Sequence, residues 1–149
     1  MDTTSELTTL AAARAFFQGD RFAAGSGMTI EDAAPGHARI RLLLTEAHMN
    51  AVGFLMGGVP LTMADFACAV ASHYGPGAGQ HVSADAHVSF LNPCRGKELL
   101  AEADRIKAGK RLSWYEVLIR DELNTQIARA TFTMCRIDNT PQNQTNTIQ

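Results

Sequence analysis

Cysteine is scarce in this sequence of 149 residues, and neither positive nor negative charge is in large excess. Its three cysteines, Cys68, Cys94 and Cys135, are an odd number with no close pair, which excludes a disulfide framework and a zinc-binding pattern. Thirteen Lys and Arg against fifteen Asp and Glu give a net charge of −2. Binding to nucleic acid is therefore not expected, because it needs a basic surface that displaces phosphate counterions.

Long apolar runs are also missing. No segment approaches the roughly 18 consecutive apolar residues of a membrane span, and the first residues lack the basic and then apolar order of a secretory signal. We therefore expect a cytoplasmic protein that does not bind a membrane. Hydrophobic residues nevertheless make up 46 % of the chain, which is enough to build the core of a single domain.

Three parts are predicted along the chain. Residues 1–24 form a helical extension, with a helix over 5–18 that is capped by Thr4 or Ser5 and stopped at Gly19. Residues 25–137 form the main domain. The remainder, 138–149, is rich in Asn, Gln and Thr and is predicted to be disordered.

The main domain is predicted to be α+β. The segment from Gly57 to His73 is apolar on nearly every side, which predicts a buried helix with Pro60 in its first turn. Extended segments are predicted at 28–32, 37–44, 80–91, 96–108, 111–121 and 125–137. A strongly curved antiparallel sheet would wrap the helix, and its open edges favour at least a dimer.

Gly57 and Gly58 open the buried helix and are the first candidate site residues. Their free backbone N–H groups and the positive end of the helix dipole can stabilise an oxyanion, since no side chain keeps a carbonyl oxygen away. A tight turn alone would also explain two glycines.

Asp65 favours the functional interpretation. It lies in mid-helix between apolar neighbours, where an unpartnered carboxylate is costly to bury. Either it is paired structurally or it faces a polar cavity, where it can act as the general base for a water or as a nucleophile on an acyl carbon. Eight residues separate Asp65 from Gly57, about 12 Å along a helix. If both are catalytic, antiparallel helices from two copies must form two composite sites.

The strand at 80–91 is predicted to place Ser83 on a polar face. Strict alternation groups His81, Ser83, Asp85, His87 and Ser89 on that face and Val82, Ala84, Ala86, Val88 and Phe90 on the other. Such a row is typical of a solvated face, but at a dimer seam Ser83 could hold the attacking water. His81 and His87 lack the partners of a metal site.

Two further groups could contact a substrate. Phe54, Leu55, Met56 and Phe66 suggest an apolar pocket. Arg105, Lys107, Lys110 and Arg111 cluster at one hairpin turn and are either simply solvated or able to bind phosphates.

Several of these motifs together resemble the hot-dog-fold acyl-CoA thioesterases of the phenylacetic acid degradation (PaaI-like) type, over about residues 28–137. The matching motifs are His48-x-Asn50-x-x-Gly53, Gly57-Gly58, Ala64-Asp65, Val82-Ser83-x-Asp85, Phe90-Leu91-x-Pro93, Gly109-Lys110-Arg111 and Ile127-Ala128-Arg129-Ala130-Thr131.

The resemblance implies a homodimer or a homotetramer that hydrolyses aryl- or medium-chain acyl-CoA to free acid and CoA without a metal or organic cofactor. It implies that the Gly57 N–H and the Asn50 side chain polarise the carbonyl, that Asp65 of the partner subunit is the base or nucleophile, and that Ser83 assists with water. Substrate-binding residues are expected at Gly58, Met56, Phe54, Phe66, Lys110 and Arg111.

One position departs from the family pattern, which has His where this chain has Met56. Methionine cannot donate a hydrogen bond or carry a proton, so activity is either reduced or redirected, or Met56 widens an apolar pocket. A non-catalytic acyl-CoA-binding protein on the same fold is the alternative function. A dehydratase is disfavoured because its hydration motif is missing, and a DNA-binding regulator because the N-terminal extension is short and not basic.

Overall fold

The computed structural model describes residues 6–137, and the predicted tail at 138–149 lies outside them. In chain order the elements are α1 (Leu10–Phe17), α2 (Arg21–Gly25), β1 (Thr29–Ala34), β2 (His37–Leu43), a short 3-10 turn (Glu46–His48), α3 (Gly58–His73), β3 (Gln80–Phe90), β4 (Glu98–Ala108), β5 (Leu112–Asp121) and β6 (Gln126–Ile137). The six predicted strands and the central helix are all present. No helix within 6–137 is long and apolar enough to cross a membrane.

The strands form one antiparallel sheet in the order β1-β2-β4-β5-β6-β3, and α3 packs against its inner face. Small residues at Ala64, Ala67 and Ala71 are fully buried on α3 and let the sheet approach the helix closely. The inner face of the sheet supplies larger side chains: Ile40, Leu42, Leu99, Tyr115, Val117, Ile119, Phe132 and Met134. This is the predicted hot-dog fold, a central helix wrapped by a curved sheet.

β3 lies at the end of the sheet and pairs with β6 alone among the described strands. Its middle, residues 82–87, is exposed on both faces, unlike the middle of β5. An open edge with backbone groups free for pairing can accept another strand.

The alternation predicted for β3 is wrong beyond Ser83. A β-bulge lies between Ser83 and Asp85, and one extra residue in a strand reverses the faces that follow. Ser83 therefore shares the helix-facing side with Ala86 and Val88, which pair with buried residues of β6.

The predicted N-terminal helix is shorter than expected. Leu7 lies in a parallel bridge with Tyr74, which keeps the chain extended there. The helix begins after Thr9, whose hydroxyl accepts a hydrogen bond from the Ala12 N–H at 3.1 Å. A second short helix, α2, follows and was not predicted.

Candidate active site

Gly57 is the N-cap residue of α3, as the paired glycines predicted. Its backbone N–H has no hydrogen-bond partner within the described chain. Beside it lies a cleft of about 450 Å³ lined by Phe54, Leu55, Gly57, Pro60, Phe90, Leu91, Asn92, Pro93, Cys94 and Ile127. A donor at a helix N-terminus therefore faces a mainly apolar cleft, which suits a carbonyl that carries an apolar group.

Phe90 is a site residue that the sequence did not single out. A Cβ atom added to Gly57 would lie 3.1 Å from Cζ of Phe90, so the ring packs directly on the glycine. The ring is 61 % exposed and forms part of the cleft wall. The motif Phe90-Leu91-x-Pro93 is part of the family resemblance, but its place beside Gly57 depends on pairing between distant segments.

Asn50 organises the loop before α3. Its Oδ1 accepts hydrogen bonds from the N–H groups of Val52 and Phe54, each at 3.0 Å. The side-chain oxygen is thus used within the loop, and the Nδ2 group is the part of Asn50 that can donate to a substrate.

His48 holds the same loop through hydrogen bonds of its imidazole and its carbonyl group. Its Nδ1 accepts from the Thr45 N–H at 2.9 Å, and its Nε2 donates to the Ser26 carbonyl at 2.8 Å. The His48 carbonyl accepts from the Met56 N–H at 2.9 Å. The buried imidazole is fully engaged in structure, which leaves it no catalytic role.

Asp65 and Ser83 meet on the exposed side of α3. The Ser83 hydroxyl donates a short hydrogen bond to Oδ1 of Asp65, and both residues are exposed. Asp65 therefore faces solvent beside a hydroxyl instead of being buried in a structural pair. The structure brings these two candidates together, and the bulge after Ser83 keeps the hydroxyl on the helix side.

Asp20 is a second carboxyl near this pair. Burial is the main reason that the pKa of Asp20 is raised; the Asp65 charge raises it further, and His73 opposes the shift. The N-terminal segment thus contributes charge to the surroundings of Asp65.

Gly57 and Asp65 belong to one continuous helix, so about 12 Å separates them along its axis. Within one protomer the two residues therefore lie too far apart to contact the same carbonyl. N–H donors lie beside an apolar cleft at the start of the helix, and a carboxylate with a hydroxyl lies further along it.

Two predicted substrate-binding residues lie elsewhere in the protomer. Phe66 is buried, with its ring 5.7 Å from that of Phe17 in an edge-to-face contact. Met56 is 54 % exposed and does not line the cleft. Phe54 does line it, as expected.

Lys110 and Arg111 lie at the other end of β3 from the cleft. Leu112 and Val82 both pair with Cys135 of β6, so the turn before β5 is beside the beginning of β3. The cleft contains Phe90, where β3 ends. A single protomer does not bring these cations to Gly57.

The cysteines do not supply a ready nucleophile. Cys68 is buried on α3, and burial raises the pKa of its thiol strongly. Cys94 lines the cleft, where partial burial also raises its thiol pKa. Cys135 is partly buried. A raised pKa keeps a thiol protonated and a weak nucleophile.

Comparison with known proteins identifies the family. The family model of the thioesterase superfamily matches residues 52–128, more than half of the chain. A Deinococcus radiodurans protein named "Putative esterase" is 39 % identical over 95 residues, 63 % of each chain. Human acyl-coenzyme A thioesterase 13 is 30 % identical over 91 residues, which are 60 % of this chain and 65 % of that protein.

The alignments with these curated relatives thus span less than two thirds of the relatives' lengths. Among solved structures, the E. coli PaaI protein of the phenylacetic acid degradation operon superposes with a TM-score of 0.78 at 24 % identity, over 89 % of this chain and 99 % of that chain. That similarity shows the shared fold. The family-model match, which contains Gly57, Asp65 and Ser83, shows that this chain belongs to the thioesterase superfamily.

Proposed function

We propose that the protein is an acyl-CoA thioesterase that hydrolyses aryl- or medium-chain acyl-CoA to free acid and CoA at a site shared by two copies. The observation that carries the proposal is the position of two groups of candidate residues on one helix, which we call half-sites. Its glycine start lies beside an apolar cleft, and an exposed carboxylate with a hydroxyl partner lies further along.

A second copy completes the site in this proposal. Antiparallel pairing of β3 with β3 of the partner would cover residues 82–87, which are exposed on both faces. The two α3 helices would then run antiparallel, and Asp65 of the partner subunit would approach Gly57. The same pairing would bring Lys110 of the partner subunit and Arg111 of the partner subunit towards the cleft, where they could bind CoA phosphates.

The reaction divides between the two halves. The Gly57 N–H and Asn50 Nδ2 polarise the thioester carbonyl, and the Asp65 carboxylate takes a proton from a water whose oxygen attacks the carbonyl carbon. The tetrahedral intermediate then breaks the C–S bond, releasing the acid and the CoA thiolate, which takes up a proton. Ser83 holds the carboxylate in place through its hydrogen bond. Direct attack by Asp65, through an acyl anhydride that water then cleaves, uses the same groups.

Release of free thiol from a panel of aryl- and acyl-CoA esters tests the proposal. We expect turnover by the wild type and a loss of about 10²–10⁴-fold in kcat for Asp65→Asn, which removes the base but keeps the shape of the side chain. Asp32→Asn, at an exposed carboxylate on β1, is the matched control and should retain activity.

The alternative is an acyl-CoA-binding protein without turnover. It predicts that the wild type binds the same esters and releases no thiol from any of them. That result would contradict the proposed hydrolysis while leaving the fold and the family unchanged.

A further inference from the structure

The loop between α3 and β3 does not by itself determine the position of the strand relative to the helix. It runs through Gly75, Gly77 and Gly79, all with positive φ, in a segment where glycine leaves the backbone many alternatives. β3 is held by other strands on its β6 side alone among the described residues. Contacts that cross from helix to strand must therefore help to place Ser83 on Asp65.

His73 makes such a contact. It is the last residue of α3, and its Nε2 accepts a hydrogen bond from the His81 N–H at the beginning of β3, at 3.3 Å. Its Nδ1 donates to the Ala69 carbonyl at 2.7 Å. The two bonds fix one tautomer, with the proton on Nδ1 and the lone pair of Nε2 aimed at the strand.

The ring of His73 is also held by aromatic neighbours. Its centroid lies 5.6 Å from that of Phe17, 6.0 Å from Phe16 and 5.8 Å from His81. These contacts restrict rotation of the imidazole, so the acceptor stays directed towards β3.

We propose that His73 is a positioning residue for the Asp65–Ser83 pair, because it fastens the beginning of β3 to the end of α3. His81 precedes Ser83 by two residues, before the bulge, so the two share a face and move together. The inference rests on the proposed function of Asp65 and Ser83. His73 touches neither the pair nor the cleft at Gly57 and acts through the strand.

The contact exists only while Nε2 is unprotonated, since a proton there would face the donor of His81. Burial lowers the pKa of His73, and the Asp20 carboxyl acts in the opposite direction. His81 on β3 has a lowered pKa as well, because of burial and then of His73 and Arg136. Glu6 and Arg136 line the adjoining recess. The contact is therefore formed at neutral pH and is lost on acidification.

Two substitutions separate positioning from mere packing. His73→Leu keeps an apolar side chain without an acceptor, whereas His73→Gln keeps an acceptor that does not titrate. At pH 7.5 we expect His73→Leu to lower kcat about tenfold, the effect of one hydrogen bond of ordinary strength, with KM within about twofold of the wild type. His73→Gln should have a kcat within about threefold of the wild type. Its kcat should also decrease less on acidification, because the glutamine side chain is not protonated.

The loss should not add to that of Ser83→Ala if His73 acts through Ser83. We expect His73→Leu to lower kcat by less than about twofold in the Ser83→Ala background. Full additivity, wild-type kcat for His73→Leu, or equal impairment of the Gln and Leu variants would each overturn the proposal.

Hydrogen exchange of the His81 amide measures the stability of its hydrogen bond to His73 in the absence of substrate. It should be slow at pH 7.5 in the wild type and in His73→Gln, and at least about tenfold faster in His73→Leu. Equal exchange in all three proteins would overturn the inference whether or not the protein hydrolyses thioesters. Absence of thioesterase activity together with the expected exchange pattern would contradict the proposed function and confine the role of His73 to placing β3.

Discussion

Because Gly57 has no side chain, the Phe90 ring can pack against its backbone, and a substrate carbonyl can approach its N–H in the proposed site. The Phe90 ring occupies the space that a Cβ would enter, and the backbone N–H beside it is free of partners within residues 6–137. Phe90 and Gly57 therefore form one unit, in which the ring position and the direction of the donor are coupled.

Gly57→Ala should fold but lose activity. A Cβ at 3.1 Å from Phe90 Cζ forces the ring or the helix start to shift, and a displacement of this kind should lower kcat by at least about tenfold. Activity on acyl-CoA esters and thermal unfolding are the measurements. Gly25→Ala, with no neighbour within 4 Å of the added Cβ, is the control for glycine substitution.

Adding Phe90→Leu identifies the cause of that loss. If contact with the ring is responsible, the double variant Gly57→Ala with Phe90→Leu should recover part of kcat. Wild-type kcat in Gly57→Ala alone would contradict the role given to the helix start.

The positions of single residues could be predicted where they depend on one segment, and could not where they depend on a distant one. Gly57 and Asp65 could be placed from one helix and its periodicity, and that spacing is confirmed by the structure. Phe66 could not be placed, because its partner Phe17 comes from a separate N-terminal helix. Their catalytic and binding roles stay predictions.

Among the elements, the end of α3 and the beginning of β3 make the stability of the folded protein depend on pH. His73 and His81 both have pKa values lowered by burial, so the folded protein resists protonating them. The unfolded chain binds those protons near the ordinary His pKa of 6.5. Stability should therefore be complete above that value and decrease as the pH falls through it.

Urea unfolding at several pH values tests this. The free energy of unfolding of the wild type should decrease between pH 7.5 and pH 5, and the decrease should be smaller in His73→Gln, which has no imidazole to protonate. The raised pKa of Asp20 has the opposite effect, because the folded protein binds a proton at this carboxyl more tightly than the unfolded chain does. An identical decrease in the two proteins would show that burial of His73 does not affect stability.

Element boundaries followed the sequence wherever local patterns dominated. The apolar helix α3 and the strands at 80–91, 96–108, 111–121 and 125–137 agree with the structure to within about two residues. The bulge in β3 was not predicted, because one inserted residue is defined by the partner strand β6 and leaves no local signal.

At the scale of the whole molecule, β3 is the incomplete part of the protomer. Its outer edge pairs with no other described strand, and large apolar side chains are exposed along it and beside the cleft, Val82 at 47 % and Phe90 at 61 %. An unpaired strand edge of this kind can be covered by a strand of another chain. A second copy would cover it and join the two half-sites.

The open edges of the sheet favour a dimer, and the hypothesis of a shared site adds the spacing of two residues on α3. Eight residues between Gly57 and Asp65 cannot be shortened within a rigid helix, so the sequence could predict a shared site without any knowledge of the sheet. The edge of the sheet that would meet the partner could not be predicted, because it depends on the pairing of strands that are distant in the sequence.

Subunit mixing tests the shared site most directly. Gly57→Ala and Asp65→Asn are each purified, assayed alone for residual activity on one acyl-CoA ester, mixed in equal amounts under conditions of subunit exchange, and assayed again. In a mixed dimer, the intact Gly57 of one subunit meets the intact Asp65 of the other at one of two sites. Random exchange should therefore restore about one quarter of wild-type activity. No activity above that of the separate variants, with exchange verified by mass, would contradict a site built from two subunits.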